Sequence, residues 1–560
     1  MASDATTLPL RDSRLGDPEG APRGASIHKG GAASNGRLGV RTRVRRETAI
    51  GALALGAIVV CVALIVLAAA DRPSTLSAPS HYGYFPRWLA GPLGGLWPWF
   101  TRSPQTIKSL FTGAMVVMYV AYLVGLKYIP ALRARWAIAT VVGVHAILLL
   151  SPPLALTDVF NYINYGRMGM LHHLNPYTTI PVLEPHSDPS FFLSNWHKLL
   201  SPYGPLFTLL TYAVVPLGIA GSLWTLKCLL VAASLGTILL VWRCARLLGL
   251  DPVRAIVLVG LNPIVLVWGL GGDHNDFLMV FLIVLAFYLL LRAGAPGISP
   301  GFGEGASAAR PIGEGAPAVP IVPEGAPPAW AASEGAQHTG GVARVRGWLL
   351  PLAPPELGAG AALAGAIALK ASAGLLVPVL IASLLRAPRR LVQVMLGLAA
   401  GGLVLGACSA AAFGVHLPDL GTQGRLAIPM SMPNVLGLAL GQGGETDTMR
   451  TLLLAALLLS VLGCTALAWR WRDALSASGW ATVALLVTLS WVLPWYVLWM
   501  LPMVALSRSR ALRRTALAVG AYLILTWMPL ATAMDNAIGI RPTKTSLGQQ
   551  HQREVKRLLK

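Results

Sequence analysis

Charged side chains are scarce in this sequence, and acidic ones are the scarcest. Only 12% of the 560 residues are charged, and 23 of them are aspartate or glutamate. A soluble domain carries about 25% charged residues, and no single soluble core grows to this length. Hydrophobic residues make up 55% of the chain. The composition excludes a soluble enzyme, a disordered protein and a small disulfide-bonded scaffold, and it predicts a polytopic membrane protein.

Cysteine is also rare, and its spacing excludes a disulfide framework. No CxxC pair occurs, and each cysteine lies within or beside an apolar run, so we expect small hydrophobic residues. The five are Cys61, Cys228, Cys244, Cys408 and Cys464. Metal-ligand spacing is missing too: four histidines lie near Glu184 and Asp188 without an HExxH pattern, so neither a metal nor another cofactor is expected. The four are His172, His173, His186 and His197.

The charge that is present is mostly basic. The chain has 44 lysines and arginines against 23 acidic residues, a net charge of +21. In a soluble protein such an excess would suggest nucleic acid binding. In a membrane protein it is typical of basic loops on the cytoplasmic side. We therefore expect membrane lipids, and no nucleic acid, around this chain.

The apolar runs predict an all-α, multi-pass protein of the cell membrane with about 11–14 transmembrane helices, since some 20 apolar residues cross a bilayer. A first span is expected at residues 48–70. Several of the later spans are short, which is typical of hairpins or bent helices lining a cavity. The later spans are expected near residues 107–127, 136–153, 204–221, 223–242, 255–271, 276–291, 357–369, 372–385, 391–413, 450–469, 477–493, 496–506 and 515–533.

Composition divides the chain into five parts. Residues 1–47 are predicted to form a disordered, basic cytoplasmic tail. The N-terminal membrane section, 48–292, contains a long polar loop at 154–202 that the basic turn before it places outside the cytoplasm. A ten-residue repeat of EGA triplets marks 293–347 as an Ala/Pro/Gly-rich linker. A C-terminal membrane section, 348–533, and a basic tail, 534–560, follow; the sidedness of the spans after about residue 220 stays open.

The outer loop carries the first cluster of polar side chains. Within TDVFNYINYGRMGMLHHLNPY (157–177), Asp158 and three other polar residues recur at i, i+3, i+4 and i+7. That spacing predicts an amphipathic helix at the membrane surface with a hydrogen-bonding face toward a cavity. The alternative is helix capping, with Thr157 as N-cap and Asp158 in the first turn.

A second cluster, GGDHNDFLM (271–279), separates two apolar runs, and Lys370 is a lone cation within a third. The acid-rich turn is either a solvated hairpin tip or a substrate-facing set of donors and acceptors. Lys370 either snorkels to the interface or contacts a phosphate. The aromatic turns SPYGPLF (201–207) and LPWYVLWMLP (493–502) are interfacial anchors or platforms for sugar rings.

The order of these motifs resembles the GT-C superfamily of membrane glycosyltransferases, most closely the actinobacterial polyprenol-phosphate-mannose-dependent α-1,6-mannosyltransferases. The resemblance spans about residues 50–530. It is carried by DVFNY…GR…LNPY at 158–177, SPYGPL at 201–206, GGDHND at 271–276, KASA at 370–373 and PWYVLW at 494–499. The resemblance implies a polyprenyl-phosphate β-mannose donor, used at the outer face without a nucleotide. It also implies a growing lipid-anchored mannan, such as lipomannan, or an oligomannoside as acceptor.

The same resemblance assigns roles to residues. Asp158 matches the catalytic acid of the outer loop and would act as general base in a single inverting displacement. The leaving phosphate would be contacted by Arg167, His274 and Lys370. The remaining residues would bind substrate: Asn161, Tyr162, Asn175, Tyr177, Tyr203, Asp273, Asn275, Asp276, Trp495 and Tyr496.

Two other function classes remain open from the sequence. A transporter or lipid flippase also needs intramembrane polar residues and broken helices, although we find no matched pairs of repeated spans. A non-catalytic membrane scaffold would have no need of Asp158 or of the acid-rich turn.

Overall fold

A computed structural model describes residues 31–71, 76, 85–96, 103–300 and 354–559, with the backbone alone for 31–41. Residues 1–30 of the predicted tail and 301–347 of the predicted linker lie outside the described residues. Contacts divide the chain into residues 1–47 and residues 48–560. All that follows about the site concerns the second unit.

The first half of the described chain is helical. Its helices are α1 (Gly31–Asp71), α2 (Arg87–Ala90), α3 (Pro104–Tyr128), α4 (Ala134–Leu149), α5 (Asp158–His172), α6 (Pro189–Leu193), α7 (Pro205–Val214), α8 (Gly218–Leu247), α9 (Pro252–Gly260) and α10 (Asp276–Arg292). Residues 31–47, predicted to be a disordered tail, belong to α1. The break between the spans predicted at 204–221 and 223–242 falls earlier than expected, at the 3-10 turn Val215–Leu217.

The second half continues with helices as well. They are α11 (Pro355–Leu369), α12 (Val377–Leu384), α13 (Pro388–Phe413), α14 (Leu420–Arg425), α15 (Met432–Ala439), α16 (Asp447–Trp471), α17 (Ala474–Thr488), α18 (Val497–Leu506), α19 (Arg510–Trp527), α20 (Ala531–Ala537) and α21 (Ser546–Leu559). Much of the segment predicted as a basic tail, 534–560, is therefore helical. Across both halves, the residues that the structure describes contain no β-strand, which confirms the all-α class.

Several helices are long and apolar enough to cross a membrane. By length and composition five described segments qualify, or six if the pair α19 and α20, bent by 88°, is one broken span. Five shorter apolar helices accompany them. A total of about 11–14 crossings would therefore require short or broken helices to contribute, which is possible only where neighbouring protein satisfies the freed backbone groups.

Close packing of backbones joins α11 and α13 in the second half of the chain. A Cβ atom on Gly360 of α11 would lie 2.0 Å from the carbonyl oxygen of Val394 on α13. On the facing helix, a Cβ on Gly397 would lie 2.0 Å from the carbonyl oxygen of Leu357. Small residues let membrane helices approach in this way, because van der Waals contact drives their association. Both positions therefore require glycine.

Helix breaks bring polar backbone and side chains to one place in the molecule. The apolar run predicted at 255–271 consists of α9 and a π-helix, Val265–Leu270, and it ends in the turn 271–275. Lys370 lies in extended backbone between α11 and the 3-10 helix Ala371–Leu376. A third break is the 3-10 turn Pro494–Tyr496 before α18. These breaks surround the cavity described next.

Candidate active site

Asp158 begins α5 and lines a cavity of about 350 Å³. A helix N-terminus favours a carboxylate, because its first N–H groups point toward it. The alternative reading, a cap by Thr157, receives no support: that side chain makes no capping hydrogen bond. Both faces of the first half of α5 are covered by protein, since residues 159–166 are all buried. Of the predicted polar face, Asp158, Tyr162 and Tyr165 line the cavity, and Asn161 does not.

The acid-rich turn 271–275 approaches α5 from the other side. The backbone N–H of Leu154, just before α5, donates to the carbonyl of Gly271 at 2.7 Å. Asp273 has a left-handed backbone (φ +57°) and accepts from Nζ of Lys227 at 3.0 Å. Both partners of that ion pair are buried, at 2% and 1% exposure. Asp273 therefore anchors the turn to α8 and faces away from the cavity.

His274 lies between Asp158 and an aromatic ring. Its Nδ1 is 3.4 Å from Oδ2 of Asp158, and its ring stacks on Trp495 with centroids 3.5 Å apart. Neither ring nitrogen makes a hydrogen bond within the described part of the chain. The stacking fixes the plane of the imidazole, so that one nitrogen faces the carboxylate and the other is left for a ligand.

Asp276 and Lys370 form the second charged pair of the cavity. Oδ1 of Asp276 accepts from Nζ of Lys370 at 2.8 Å and from Nε1 of Trp499 at 2.6 Å. The lysine ammonium also lies over two aromatic rings, 4.7 Å from the centroid of Tyr496 and 5.0 Å from that of Trp499. An ammonium group has three donors, and the Lys370 side chain is 22% exposed. It therefore keeps donors for an anionic ligand.

Tyr203 is brought beside Lys370 by a close approach of backbones. A Cβ on Gly204 would lie 2.1 Å from the carbonyl oxygen of Ala368, and the Gly204 N–H donates to Leu369 at 3.1 Å. Tyr203 also packs edge-on against Tyr162, with centroids 4.8 Å apart. The start of α7, the end of α11 and α5 thus meet at one wall of the cavity.

Burial changes the acidity of Asp158. Desolvation raises the pKa of its carboxyl to about 6, although the charge of Lys370 lowers it; the charge of Asp276 raises it further. The nearby side chains of Trp196 and Asn161 favour the ionised form and lower the pKa. A carboxyl with a pKa near 6 is a stronger base than an ordinary aspartate and is still ionised at neutral pH, as a general base needs.

Unpaired polar atoms concentrate at this cavity. Nδ2 and Oδ1 of Asn275, Oδ2 of Asp276 and both ring nitrogens of His274 are buried without a hydrogen-bond partner in the described residues. Buried polar groups in proteins are ordinarily paired. Five such atoms on three consecutive residues that line one cavity indicate a place where a hydroxylated or anionic ligand binds.

The cavity brings together nine of the residues that the sequence singles out. They are Asp158, Tyr162, Tyr203, His274, Asn275, Asp276, Lys370, Trp495 and Tyr496. Among the residues described, no group of three or more His, Cys, Asp or Glu side chains has the arrangement of a metal site.

Arg167 lies away from the cavity lining. Its Nε donates to both carboxylate oxygens of Asp188, at 2.9 and 3.0 Å, and Nε2 of His172 lies 2.9 Å from Oδ2 of the same residue. Burial raises the pKa of Asp188, but Arg167, the Ser190 N–H and His172 outweigh it and bring the pKa to about 2. These contacts fasten the outer loop to the end of α5.

Asn161, Asn175 and Tyr177 also contact protein instead of the cavity. Asn161 Oδ1 accepts the backbone N–H of Trp196 at 3.3 Å, and Tyr177 donates its hydroxyl to the carbonyl of Tyr203 at 2.9 Å. Asn175 Nδ2 donates to a carbonyl at the end of α13 at 2.6 Å. With Arg167 and Asp273, they are five predicted site residues whose contacts position others.

The structure adds cavity residues that sequence reasoning missed. Trp196 and Trp491 line the cavity with rings 6.0 Å apart, and Val555 and Leu559 reach it from the C-terminal helix α21. Lys227 was missed as the partner of Asp273. Lys227 shows the same sequence signal as Lys370, because each is a single cation inside an apolar span. No sequence signal joined α21 to the outer loop.

Comparisons with known proteins show the family to which the chain belongs. The family described as "Alpha-(1->6)-mannopyranosyltransferase, N-terminal domain" matches residues 77–386, more than half of the chain. The chain belongs to this family. It is 27% identical over 468 residues to alpha-(1->6)-mannopyranosyltransferase A of Mycobacterium tuberculosis, covering 77% of this chain and 76% of that protein. A probable alpha-(1->6)-mannopyranosyltransferase of Mycolicibacterium smegmatis is 30% identical over 151 residues, 26% of this chain and 27% of that protein.

No solved structure matches the chain. Family membership confirms the expected class, a multi-pass membrane glycosyltransferase of the GT-C type that transfers mannosyl residues. A sugar donor and a glycan acceptor at a membrane follow from that class. The transporter and scaffold alternatives lose their support, because the cavity belongs to a chain of an enzyme family.

Proposed function

We propose that this α-(1→6)-mannopyranosyltransferase family member transfers mannose from a polyprenyl-phosphate-linked donor to a growing lipid-anchored mannan at the outer face of the membrane. One observation carries the proposal: Asp158, with its raised pKa, shares a cavity with the lysine of the Asp276–Lys370 pair. A base and a cation in one cavity are what the transfer of a sugar away from a phosphate requires.

Asp158 is the general base. The acceptor hydroxyl oxygen forms a bond to the anomeric carbon while its proton passes to the Asp158 carboxylate. The bond between the anomeric carbon and the phosphate oxygen breaks on the opposite side, so a β-linked donor gives an α-linked product. Its electron pair stays on the phosphate, and polyprenyl phosphate leaves.

Lys370 and His274 stabilise the leaving group. The transition state places positive charge on the sugar ring and new negative charge on the phosphate. Preorganised donors aimed at developing charge contribute strongly in a site that excludes water. Lys370 is held by Asp276 and two aromatic rings, and Nε2 of His274 is buried without a partner among the described residues. Arg167 acts indirectly, by holding the outer loop through Asp188.

Aromatic and amide side chains shape the sugar site. Tyr203, Trp495 and Tyr496 offer ring faces, and Asn275 offers both a donor and an acceptor without competing partners in the described chain. Tyr162 supports Tyr203 through an edge-on contact. Such sites combine a largely apolar wall with a few converging polar groups.

The test is transfer by purified protein in lipid nanodiscs. Wild-type protein should extend an oligomannoside using synthetic polyprenyl-phosphate β-mannose and should not use GDP-mannose. Asp158→Asn should reduce the rate by roughly 10²–10⁴-fold, the usual contribution of a general base, with an unchanged melting temperature. Asp447→Asn is the matched control, since that side chain is fully exposed at the first turn of α16. Normal turnover by Asp158→Asn would refute the assignment of the base.

A further inference from the structure

The C-terminal helix α21 is fastened to the wall of the cavity. The backbone N–H of Lys198, in the outer loop, donates to the carbonyl of Leu558 at 3.0 Å. The Leu558 side chain is buried with Leu199 of the same loop and Leu426, which follows α14. Two residues before Lys198 stands Trp196, which lines the same cavity as Asp158. The end of α21 therefore contacts the loop that lines the cavity together with Asp158.

One face of α21 lines two cavities. Residues 551, 552, 555, 556 and 559 recur at helical spacing and line the cavities, whereas Gln549, Arg553 and Arg557 are exposed and line neither. Residues three and four apart share a helix face. The amphipathic pattern of α21 therefore faces cavities and not a closed core.

The second cavity has a volume of about 450 Å³ and adjoins the first. Trp491, Trp527, Val555 and Leu559 line both cavities. The shared residues make the second cavity an extension of the first, away from Asp158 and along α21. Its volume lies within the range of sites for small molecules.

The lining of the second cavity combines aromatic faces with side chains that make hydrogen bonds. Trp491 and Trp527 are partly exposed, and His551, Gln552 and Lys556 come from α21. Asn434 contributes less, because its amide is already committed to Pro429 and to the N–H of Glu445. A sugar ring has apolar C–H faces, which can stack on the tryptophans, and a rim of hydroxyls, which the three α21 side chains can bind.

We propose that the second cavity is an acceptor subsite, which holds the sugar residues that precede the one whose hydroxyl reaches Asp158. Its ligand is a neutral oligosaccharide, the mannan chain itself. The inference rests on the proposed function and names where the rest of that acceptor lies. Because α21 forms one wall, the C-terminal helix determines how strongly a long acceptor is preferred to a short one.

Gln552→Trp tests the subsite by filling it. With donor saturating, the variant should raise KM for a long oligomannoside about tenfold and leave its kcat unchanged, the signature of lost uniform binding. KM for the shortest acceptor should stay within about twofold of wild type. Gln549→Trp, on the exposed face of the same helix, should leave both values unchanged.

Lys556→Ala is a second variant for the case that tryptophan displaces the helix. Lys556 is exposed and lines the second cavity, and its neighbour Arg557 is exposed and lines neither. Lys556→Ala should raise KM for the long acceptor by about threefold, through the loss of one side-chain contact. Arg557→Ala, which removes the same charge, should have no effect.

Direct binding separates this proposal from the proposed function. Titration of the long oligomannoside without donor should quench the tryptophan fluorescence of wild type and of Gln549→Trp, but bind Gln552→Trp about tenfold more weakly. Equal binding of the oligomannoside to all three proteins would overturn the subsite. A raised KM for the donor, with no change for the acceptor, would also overturn it, because the second cavity would then hold the lipid tail of the donor. Failure of wild type to transfer mannose would instead refute the proposed function, and the titration would still decide the subsite.

Discussion

The two acids of the cavity differ in their partners, and this difference decides their roles. Asp276 is 1% exposed and gives one oxygen to both Lys370 and Trp499. Asp158 is 19% exposed and has His274 at 3.4 Å. The Asp276 carboxylate is thus committed to holding Lys370 in place. The proposed base is therefore the acid with weaker charge pairing and more access to the cavity.

The raised pKa of Asp158 predicts an acid limb in the pH profile. The carboxylate form is active, so kcat/KM should fall as the pH drops through about 6, well above the ordinary range of an aspartate. The charge of Lys370 lowers the pKa of Asp158. In Lys370→Gln this pKa should rise, so the residual activity should begin to fall at a higher pH than in wild type. Initial rates between pH 4.5 and 8.5 measure both.

Glu184 supplies the control for that profile. Burial raises the pKa of its carboxyl to about 7, while the nearby side chain of Asn164 lowers it. The residue does not line the cavity. Glu184→Gln should therefore keep the fall in kcat/KM near pH 6. Loss of that fall in this variant would show that the titrating group is Glu184 and not Asp158.

At the scale of elements, the turn 271–275 depends on one buried ion pair. Lys227→Met should lower stability by about 3–5 kcal/mol, because it leaves the Asp273 carboxylate buried without its partner. The double variant Lys227→Met/Asp273→Asn should recover most of the loss, since asparagine tolerates the left-handed backbone at this position. Thermal unfolding in detergent measures both. A double variant no more stable than Lys227→Met would show that the Lys227–Asp273 ion pair does not stabilise the turn.

The sequence predicted the elements around the cavity better than the directions of their side chains. Asp158, Asp276 and Lys370 stand out because a charge in an apolar chain needs a reason. Arg167 and Asn161 carry the same polar signal, yet their partners lie 21 and 34–35 residues away in a loop without periodicity. Which partner a polar side chain finds depends on how that loop folds, and the local pattern does not contain this.

The C-terminal helix α21 shows a second limit of prediction from the sequence. Residues 546–559 have a helical pattern of polar and apolar residues that can be recognised without a structure. Their basic charge, however, suggested only a basic tail, whose side of the membrane stayed open. The contact between Lys198 and Leu558 joins residues 360 positions apart. Only tertiary packing reveals a contact of that range.

At the scale of the whole molecule, the packing of α21 predicts on which side of the membrane the C-terminus lies. α21 contacts the outer loop 154–202, and the apolar helix α4 separates that loop from the basic turn before it. The C-terminal helix should therefore share the side of the outer loop, although it carries Arg553, Lys556 and Arg557. We expect this contact, near the candidate active site, to outweigh the charge bias, which acts mainly near the ends of spans.

Cysteine labelling in intact cells measures this arrangement. In a parent with all five native cysteines replaced, Ser187→Cys in the outer loop and Arg557→Cys in α21 should react with a membrane-impermeant maleimide. Arg133→Cys, in the turn before α4, should react only after permeabilisation; all three side chains are exposed. Reaction of Arg557→Cys together with Arg133→Cys would contradict the contact between α21 and the outer loop. Reaction of Ser187→Cys and Arg557→Cys only after permeabilisation would preserve that contact and reverse the orientation, because both residues would then lie in the cytoplasm.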